Sequence, residues 1–407
     1  MDIALVVLVV VVLTALAFDF TNGFHDTANA VATTIATGAL RPRTAVLLAG
    51  VLNLVGAFLS VQVAKTISSG LVDETKITPA VIFAGLVGAI LWNLMTWLLG
   101  LPSSSSHALI GGLIGATLVA AGPDAVKFAG IVGKVLLPAV LSPIVAGLVA
   151  LIATRLAYRI TAHGVAGTVN RGFRLGQVVS SSMVALAHGT NDAQKTMGVI
   201  TLALITAGAL PPSAGPPFWV IVSAGLAIGL GTYAGGWRII HTLGRRVSEI
   251  QTAQGFTSGT STAAVILTSS HLGFPLSTTQ VATGAVVGAG AGRGVASVRW
   301  GLAGQVAVGW LLTLPAAALV GALAAWAAIT GPVGMIIVAV VLVGISGGIY
   351  AVSRRRPVTP DNVTRRPRRR RPRTSWRERA IGHASQDSGP IRAHIPPVGM
   401  TRSTLPP

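Results

Sequence analysis

Long apolar runs, broken by short polar clusters, fill most of this chain. Runs that could cross a membrane, or nearly so, lie at about 3–22, 44–66, 79–99, 103–121, 131–153, 175–190, 194–210, 217–236, 257–272, 275–291, 300–328 and 332–352. A hydrocarbon core about 30 Å thick needs roughly 20 apolar residues per helix, and several runs are shorter or interrupted. The pattern predicts an all-α polytopic integral membrane protein with about 10–12 transmembrane or re-entrant helices. A helix spanning 3–40 would reach about 57 Å at 1.5 Å per residue, so a break is expected at the polar cluster 19–29. The opening run IALVVLVVVVLTALAF has only Asp2 as an early charge and no small-residue cleavage site after it. It reads as a retained first membrane helix rather than a secretory signal.

The pattern is internally duplicated. GFHDTANA (Gly23–Ala30) matches GTNDAQKT (Gly189–Thr196), with Asp26 over Asp192 at an offset of 166. PSSSSHALIGGLIGA (Pro102–Ala116) matches PLSTTQVATGAVVGA (Pro275–Ala289) at an offset of 173. Basic residues follow the first Asp motif (Arg41, Arg43) but precede the second (Arg155, Arg159, Arg171, Arg174). If basic loops face the cytoplasm, the copies enter the membrane from opposite sides, as two inverted repeats with discontinuous helices. The expected division is a first transmembrane repeat at 1–153, a basic linker at 154–174, a second repeat at 175–353, and a basic, disordered cytoplasmic tail at 354–407.

Composition sharpens this picture. Of 407 residues, 52% are hydrophobic and only 10% charged, too few charges to solvate a soluble surface. The absence of cysteine excludes a disulfide scaffold. The net charge of +19 is uneven, because Arg354–Pro407 alone carries +11. The run RRPRRRRPR (Arg365–Arg373) comes with no folded nucleic-acid module, so anionic lipid rather than nucleic acid is its expected contact.

Three clusters could carry chemistry. The first, FDFTNGFHDTANA (Phe18–Ala30), sets Asp19, Asn22, His25, Asp26 and Asn29 in an apolar run. A carboxylate at membrane depth costs on the order of 3 kcal/mol and is kept where it faces a cavity and works. Asp26 and Asn29 share a helical face and, with carbonyls freed at a break, suit a small hard cation or a proton. His25 is the proton-handling candidate beside them. The second, AHGTNDAQKT (Ala187–Thr196), embeds Asn191, Asp192, Gln194 and Lys195. Asn29 aligns with Lys195, so the copies are not equivalent, and Lys195 could pair with Asp192 or with an anion.

The third is a hydroxyl run behind a proline in each copy. Pro102 and Pro275 are placed to start helices, with Ser103, Ser104, Ser105 and Ser106, and Ser277, Thr278 and Thr279, in the first turn. Helix N-termini with added hydroxyl donors favour an anion. Ordinary capping would explain either run alone; recurrence in both copies points to a shared oxyanion site. His107, His188 and His271 are expected to bond between helices. The patch QGFTSGTST (Gln254–Thr262) has no assigned role. The tryptophans suit interfacial anchoring.

FDFTNGFHDTANAVATTIATGAL and AHGTNDAQKTMGVI together resemble the two signature segments of the inorganic phosphate transporter (Pit) family. The likeness covers roughly 1–350 and is nearest to the bacterial low-affinity permeases. It implies no enzyme activity, no cofactor, no resident metal, and a multi-pass protein of the cell (plasma or inner) membrane. It implies symport of phosphate, alone or as a metal–phosphate complex, with protons in the bacterial branch and sodium in others. Carried over by position, Asp26, Asn29, Asp192 and His25 would serve the coupling cation. Ser104, Ser105, Ser106, Ser277, Thr278, Thr279, Asn191, Gln194 and Lys195 would serve the anion. His25 stands where sodium-coupled relatives carry Asn, which favours protons. The expected partners are inorganic phosphate, the coupling cation, membrane lipid and a second copy of the chain as a homodimer. A sodium-coupled carrier or a sulfate permease of the same fold is the alternative. An anion channel and a membrane enzyme acting on a phosphorylated lipid are more distant readings; the enzyme lacks a metal cage.

Overall fold

The computed structural model describes residues 3–245 and 250–363. Among them every regular element is helical, apart from an isolated bridge between Val72 and Val126. The order repeats. A long helix, α1 (Ile3–Ala36), is followed by α2 (Pro42–Gly56), the short α3 (Gln62–Gly70), α4 (Pro79–Leu99) and the half-length α5 (Ser105–Ala121). A 3₁₀ turn at Pro123–Ala125 leads into α6 (Phe128–Ile131), a π-helical turn and α7 (Leu137–Ile160), which together make one 33-residue rod. The same series follows as α8 (Ala166–Thr206), α9 (Phe218–Ala234), α10 (Trp237–Arg245), α11 (Thr252–His271), α12 (Thr278–Arg293), a 3₁₀ turn at Val295–Ser297 and α13 (Trp300–Ala328). α14 (Pro332–Arg354) has no counterpart and lies against α4 and α13.

Among the described residues, five helical segments are long and apolar enough to cross a membrane, namely α1, α4, the α6–α7 rod, α13 and α14. Counting the bent pair α9–α10 as one span makes six. Their outer faces are greasy: Leu311 is 77% exposed and Val343 70%. Such faces belong against lipid, while the polar residues turn inward. The inside is correspondingly rich in buried Ser, Thr, Asn, Asp and His.

The halves grip each other crosswise. α5 packs on α13 of the other half, and α12 on α7. Equivalent glycines permit both contacts. A Cβ at Gly115 would overlap the carbonyl of Ala318, and one at Gly288 the carbonyl of Gly147. In a membrane, where lipid is as apolar as leucine, such backbone approach is what drives helix association.

α1 and α8 lie antiparallel. Thr196 stands beside Asp19, Asn22 donates to Asp192, Ser181 donates to the Ala30 carbonyl and Thr37 to Gln177. Position along one helix rises as it falls along the other. Equivalent residues also meet: His107 of α5 and Gln280 of α12, 173 apart in sequence, are 3.4 Å apart.

Several expectations need correction. α1 does not break at 19–29; it runs unbroken for 34 residues, about 51 Å. The side chains of Asn22, His25, Asp26 and Asn29 find partners on other helices, so the backbone ladder has no need to open. Likewise α8 runs 41 residues through its Asp motif and takes in 166–174 of the expected linker, while α7 takes in 154–160. The discontinuity falls instead between α9 and α10, which meet at 67°. Gly235 there has φ +76°, a left-handed conformation suited to glycine. Pro102 and Pro275 do not begin helices either. Each lies two residues before its N-cap, Ser104 or Ser277, so Ser103 precedes the helix. The chain after α14 remains packed as far as Val363, which is 2% exposed; the basic tail from residue 364 onward lies outside the described residues.

Candidate functional site

The unbroken helices α1 and α8 carry the two Asp motifs across each other, and the starts of α5 and α12 close on that crossing. The first hydroxyl of each run is consumed locally. Ser104 Oγ accepts from the His107 amide at 3.1 Å, and Ser277 Oγ from the Gln280 amide at 3.3 Å. These are N-caps: each oxygen accepts an amide hydrogen and orients the helix start, while the hydroxyl keeps its own hydrogen. The following residues, Ser105, Ser106, Thr278 and Thr279, are each 1% exposed; Ser105, Thr278 and Thr279 reach the acids, and Ser106 reaches Lys195.

Asp26 lies among neutral donors. Ser105 Oγ donates to its Oδ2 at 2.8 Å, Thr278 Oγ1 approaches the same atom at 3.3 Å, and Thr279 Oγ1 reaches Oδ1 at 3.2 Å. His25 Nδ1 lies 2.6 Å from Oδ1, and the other ring nitrogen faces Thr96 at 3.1 Å and Ser103 at 3.3 Å. Asn29 Nδ2 donates to Thr279 at 3.0 Å. Asp26 is thus held by groups from both halves, none a fixed cation.

Asp192 is surrounded differently. Lys195 Nζ sits 2.6 Å from Oδ1, and Asn191 Nδ2 donates to the same oxygen at 2.7 Å. His188 Nε2 is 3.2 Å from Oδ2, and Asn22 approaches Oδ2 at 3.5 Å. Lys195 also donates to Ser106 Oγ and to the Leu276 carbonyl, the latter at 2.9 Å. That carbonyl, just before the α12 cap, further accepts from Asn191 and Ser106.

Thr278 joins the two sets. Its hydroxyl lies 3.3 Å from both Asp26 Oδ2 and Asp192 Oδ2. With one hydrogen to give, it donates to one carboxylate at a time. Asp26, His188 and Asp192 each offer a ligand atom within 4.8 Å of the others, enough to hold a cation.

Charge accounting points the same way. Among the described residues, the buried Asp and Glu side chains are Asp19, Asp26 and Asp192, while Lys195 is the buried Lys or Arg. One ammonium cannot balance three carboxylates, and an unpaired buried charge is too costly to keep. That excess of negative charge is what added protons or cations would offset.

Of the expected site residues, Gln194 is not brought to the cluster. Its Oε1 accepts from the Val63 and Ala64 amides at 2.8 and 3.3 Å, capping α3, and its Nε2 donates to the Thr190 carbonyl. Two residues outside the expected set join instead. Asn22 and His188 occupy equivalent positions, 166 apart, and both reach Asp192. Extending the duplication one turn upstream singles them out. Leu276 and Thr96 carry no sequence signal, because a backbone carbonyl and a helix-internal threonine look like any other.

Comparisons with known proteins point to one family. A family model described as "Phosphate transporter family" matches residues 22–321. A probable low-affinity inorganic phosphate transporter of Mycobacterium tuberculosis (strain ATCC 25618 / H37Rv) is 52% identical over 401 residues, covering 98% of this chain and 94% of that protein. Another of that description, from Bacillus subtilis (strain 168), is 43% identical over 326 residues, covering 80% of this chain and 98% of its own. A solved structure described as "The sodium-dependent phosphate transporter" superposes with a TM-score of 0.71 at 26% identity, covering 79% of this chain and 98% of that one.

Proposed function

The chain belongs to the phosphate transporter family, and on that premise we propose that it carries inorganic phosphate across the cell membrane by symport with protons. The observation that carries this reading is the meeting of two helix starts, one ammonium and two acids at a single buried crossing. The anion lies between the first turns of α5 and α12. Their free amides and the hydroxyls of Ser105, Ser106, Thr278 and Thr279 give it donors. Lys195 exchanges its contact with Asp192 for a phosphate oxygen. Asp26 and His25 take the coupling proton, which offsets the carboxylate charge when phosphate enters.

The two halves lie in opposite orientation and rock about the site to expose it alternately. Support comes from the antiparallel α1 and α8 and from the touching equivalents His107 and Gln280. Sodium as the coupling ion is the second reading. It is favoured by the oxygen-rich surroundings of Asp26 and by the sodium dependence of the solved relative.

Radiolabelled phosphate uptake into proteoliposomes, driven separately by a pH gradient and by a sodium gradient, tests both. Accumulation driven by the pH gradient and resistant to competing sulfate is the expected result. Accumulation driven only by sodium selects the second reading. Flux that survives Asp26→Asn and ignores both gradients would mark a channel.

A further inference from the structure

Asp19 stands apart from the site just described. It lies two turns before Asp26 on α1, about 10 Å along the axis. It is fully buried, and neither carboxyl oxygen has a hydrogen-bond partner. Two further orphan oxygens belong to its neighbours: Asn22 Oδ1 and Thr196 Oγ1, both also fully buried. We propose that Asp19 is a second proton-binding residue of the transport cycle, separate from Asp26 and Asp192. The inference rests on the proton-symport reading above and deepens it.

The donor count supports a proton. An ionised carboxylate only accepts, the Asn22 carbonyl oxygen only accepts, and Thr196 has a single hydrogen to give. With Asp19 ionised, the Thr196 hydrogen can satisfy one carboxylate oxygen, but the other oxygen and Asn22 Oδ1 stay unpaired. With one proton added, Asp19 O–H donates to Asn22 Oδ1 and Thr196 O–H donates to the remaining Asp19 oxygen. A single proton satisfies the whole group. The charged groups within electrostatic reach are Asp192 and Lys195 of α8. The other neighbours of α1 turn uncharged polar side chains inward, Asn53 from α2, Asn93 from α4 and Thr232 from α9. α10 packs farther along α1, and its Arg238 is bound to the carbonyls of Ser353 and Arg356.

The duplication supplies an internal control. At the offset of 166, Asp19 corresponds to Ala185, and Thr196 corresponds to Ala30. Both alanines are buried. The same helix crossing is therefore built with alanine on one side of the molecule, so packing does not demand an acid on the other. A buried acid that the fold does not need is kept for work. Its link to the main site is Asn22, whose Nδ2 reaches Asp192 at 3.5 Å and whose side chain also neighbours Asp19. Proton uptake converts the carboxylate to the carboxylic acid using a proton from the solution on the entry side. Release on the other side restores it, and no other bond changes.

The full chain in proteoliposomes provides the test, with phosphate accumulation under a pH gradient, phosphate–phosphate exchange and lumenal proton count measured together. Asp19→Asn is expected to transport fewer protons per phosphate and to lose accumulation by about tenfold or more, while exchange, which needs no net proton movement, persists. Asp19→Glu is expected to restore accumulation. Wild-type accumulation and proton count in Asp19→Asn would overturn the proposal. So would loss of exchange and accumulation together in both variants, which would mark a structural role, or loss of a sodium-driven component instead of a proton-driven one. If the wild-type protein itself ignores the pH gradient, the symport reading fails and this inference fails with it. If only the variant matches wild type, the inference alone fails.

Discussion

Asp26 and Asp192 occupy equivalent places in the two halves and live in different chemistry. Asp26 is met by Ser105, Thr278, Thr279 and His25, groups that are neutral or can become so. Asp192 is met by the ammonium of Lys195 at 2.6 Å. The fixed charge comes from one exchange within the duplication, Asn29 for Lys195; His25 for Asn191 and Asn22 for His188 differ beside it. A buried ammonium balances a carboxylate's charge where it stands, whereas hydroxyls share that charge only through hydrogen bonds. One half therefore carries its own positive charge, and the other surrounds its acid with hydroxyls and an imidazole.

The largest expected effect breaks the comparison at its charged side. Asp192→Asn should abolish uptake and destabilise the fold by about 3–5 kcal/mol, because Lys195 is left buried without a counter-charge. Thermal unfolding in detergent measures the second part. Asp26→Asn should abolish coupled uptake with a much smaller stability loss, since an amide can still accept from the same hydroxyls. Equal melting losses in the two variants would show that the halves do not differ in this way.

Next comes Lys195→Asn, which gives the second motif the residue of the first. Loss of a charge-assisted contact worth about 1.5–3 kcal/mol should weaken phosphate affinity roughly 10–100-fold in uptake assays. Gly115→Ala and Gly288→Ala test the part of the comparison in which the halves should agree. Each puts a Cβ against a backbone carbonyl of the opposite half, and each should cost about 1–3 kcal/mol of stability. A large difference between them would mean the cross-packing is not equivalent. The smallest effects come from the hydroxyls. Thr278→Ala touches both acids and should lower affinity by about tenfold. Ser105→Ala touches only Asp26 and should lower it by about threefold, each lost bond being worth about 0.5–1.5 kcal/mol. Phosphate concentration series on both variants decide the order.

Much of the site was readable because a polar residue inside an apolar run is conspicuous. Asp26, Asp192, Lys195 and the paired hydroxyl runs could be named from the sequence, and the structure gathers Ser105, Ser106, Thr278 and Thr279 around the two acids. Gln194 was equally conspicuous but caps α3 instead. Spacing cannot tell whether a buried amide faces a ligand or a helix end. The expected break in α1 illustrates the same limit. A polar cluster in a long apolar helix is unfavourable only against lipid, and whether it meets lipid depends on the helices packed beside it.

The sequence by itself determined that this chain lives in a membrane, that its body is duplicated, and which side chains are too polar to face lipid. Those properties are local or periodic: hydropathy, offset and residue type are carried by the chain without reference to its neighbours. Only the tertiary structure decided that α1 and α8 pass each other unbroken, that Thr278 lies between both acids, and that Asp19 is left without a partner. Each of these depends on contacts between residues some 80 to 250 positions apart. Such contacts are set by how whole helices pack, which no stretch of sequence records.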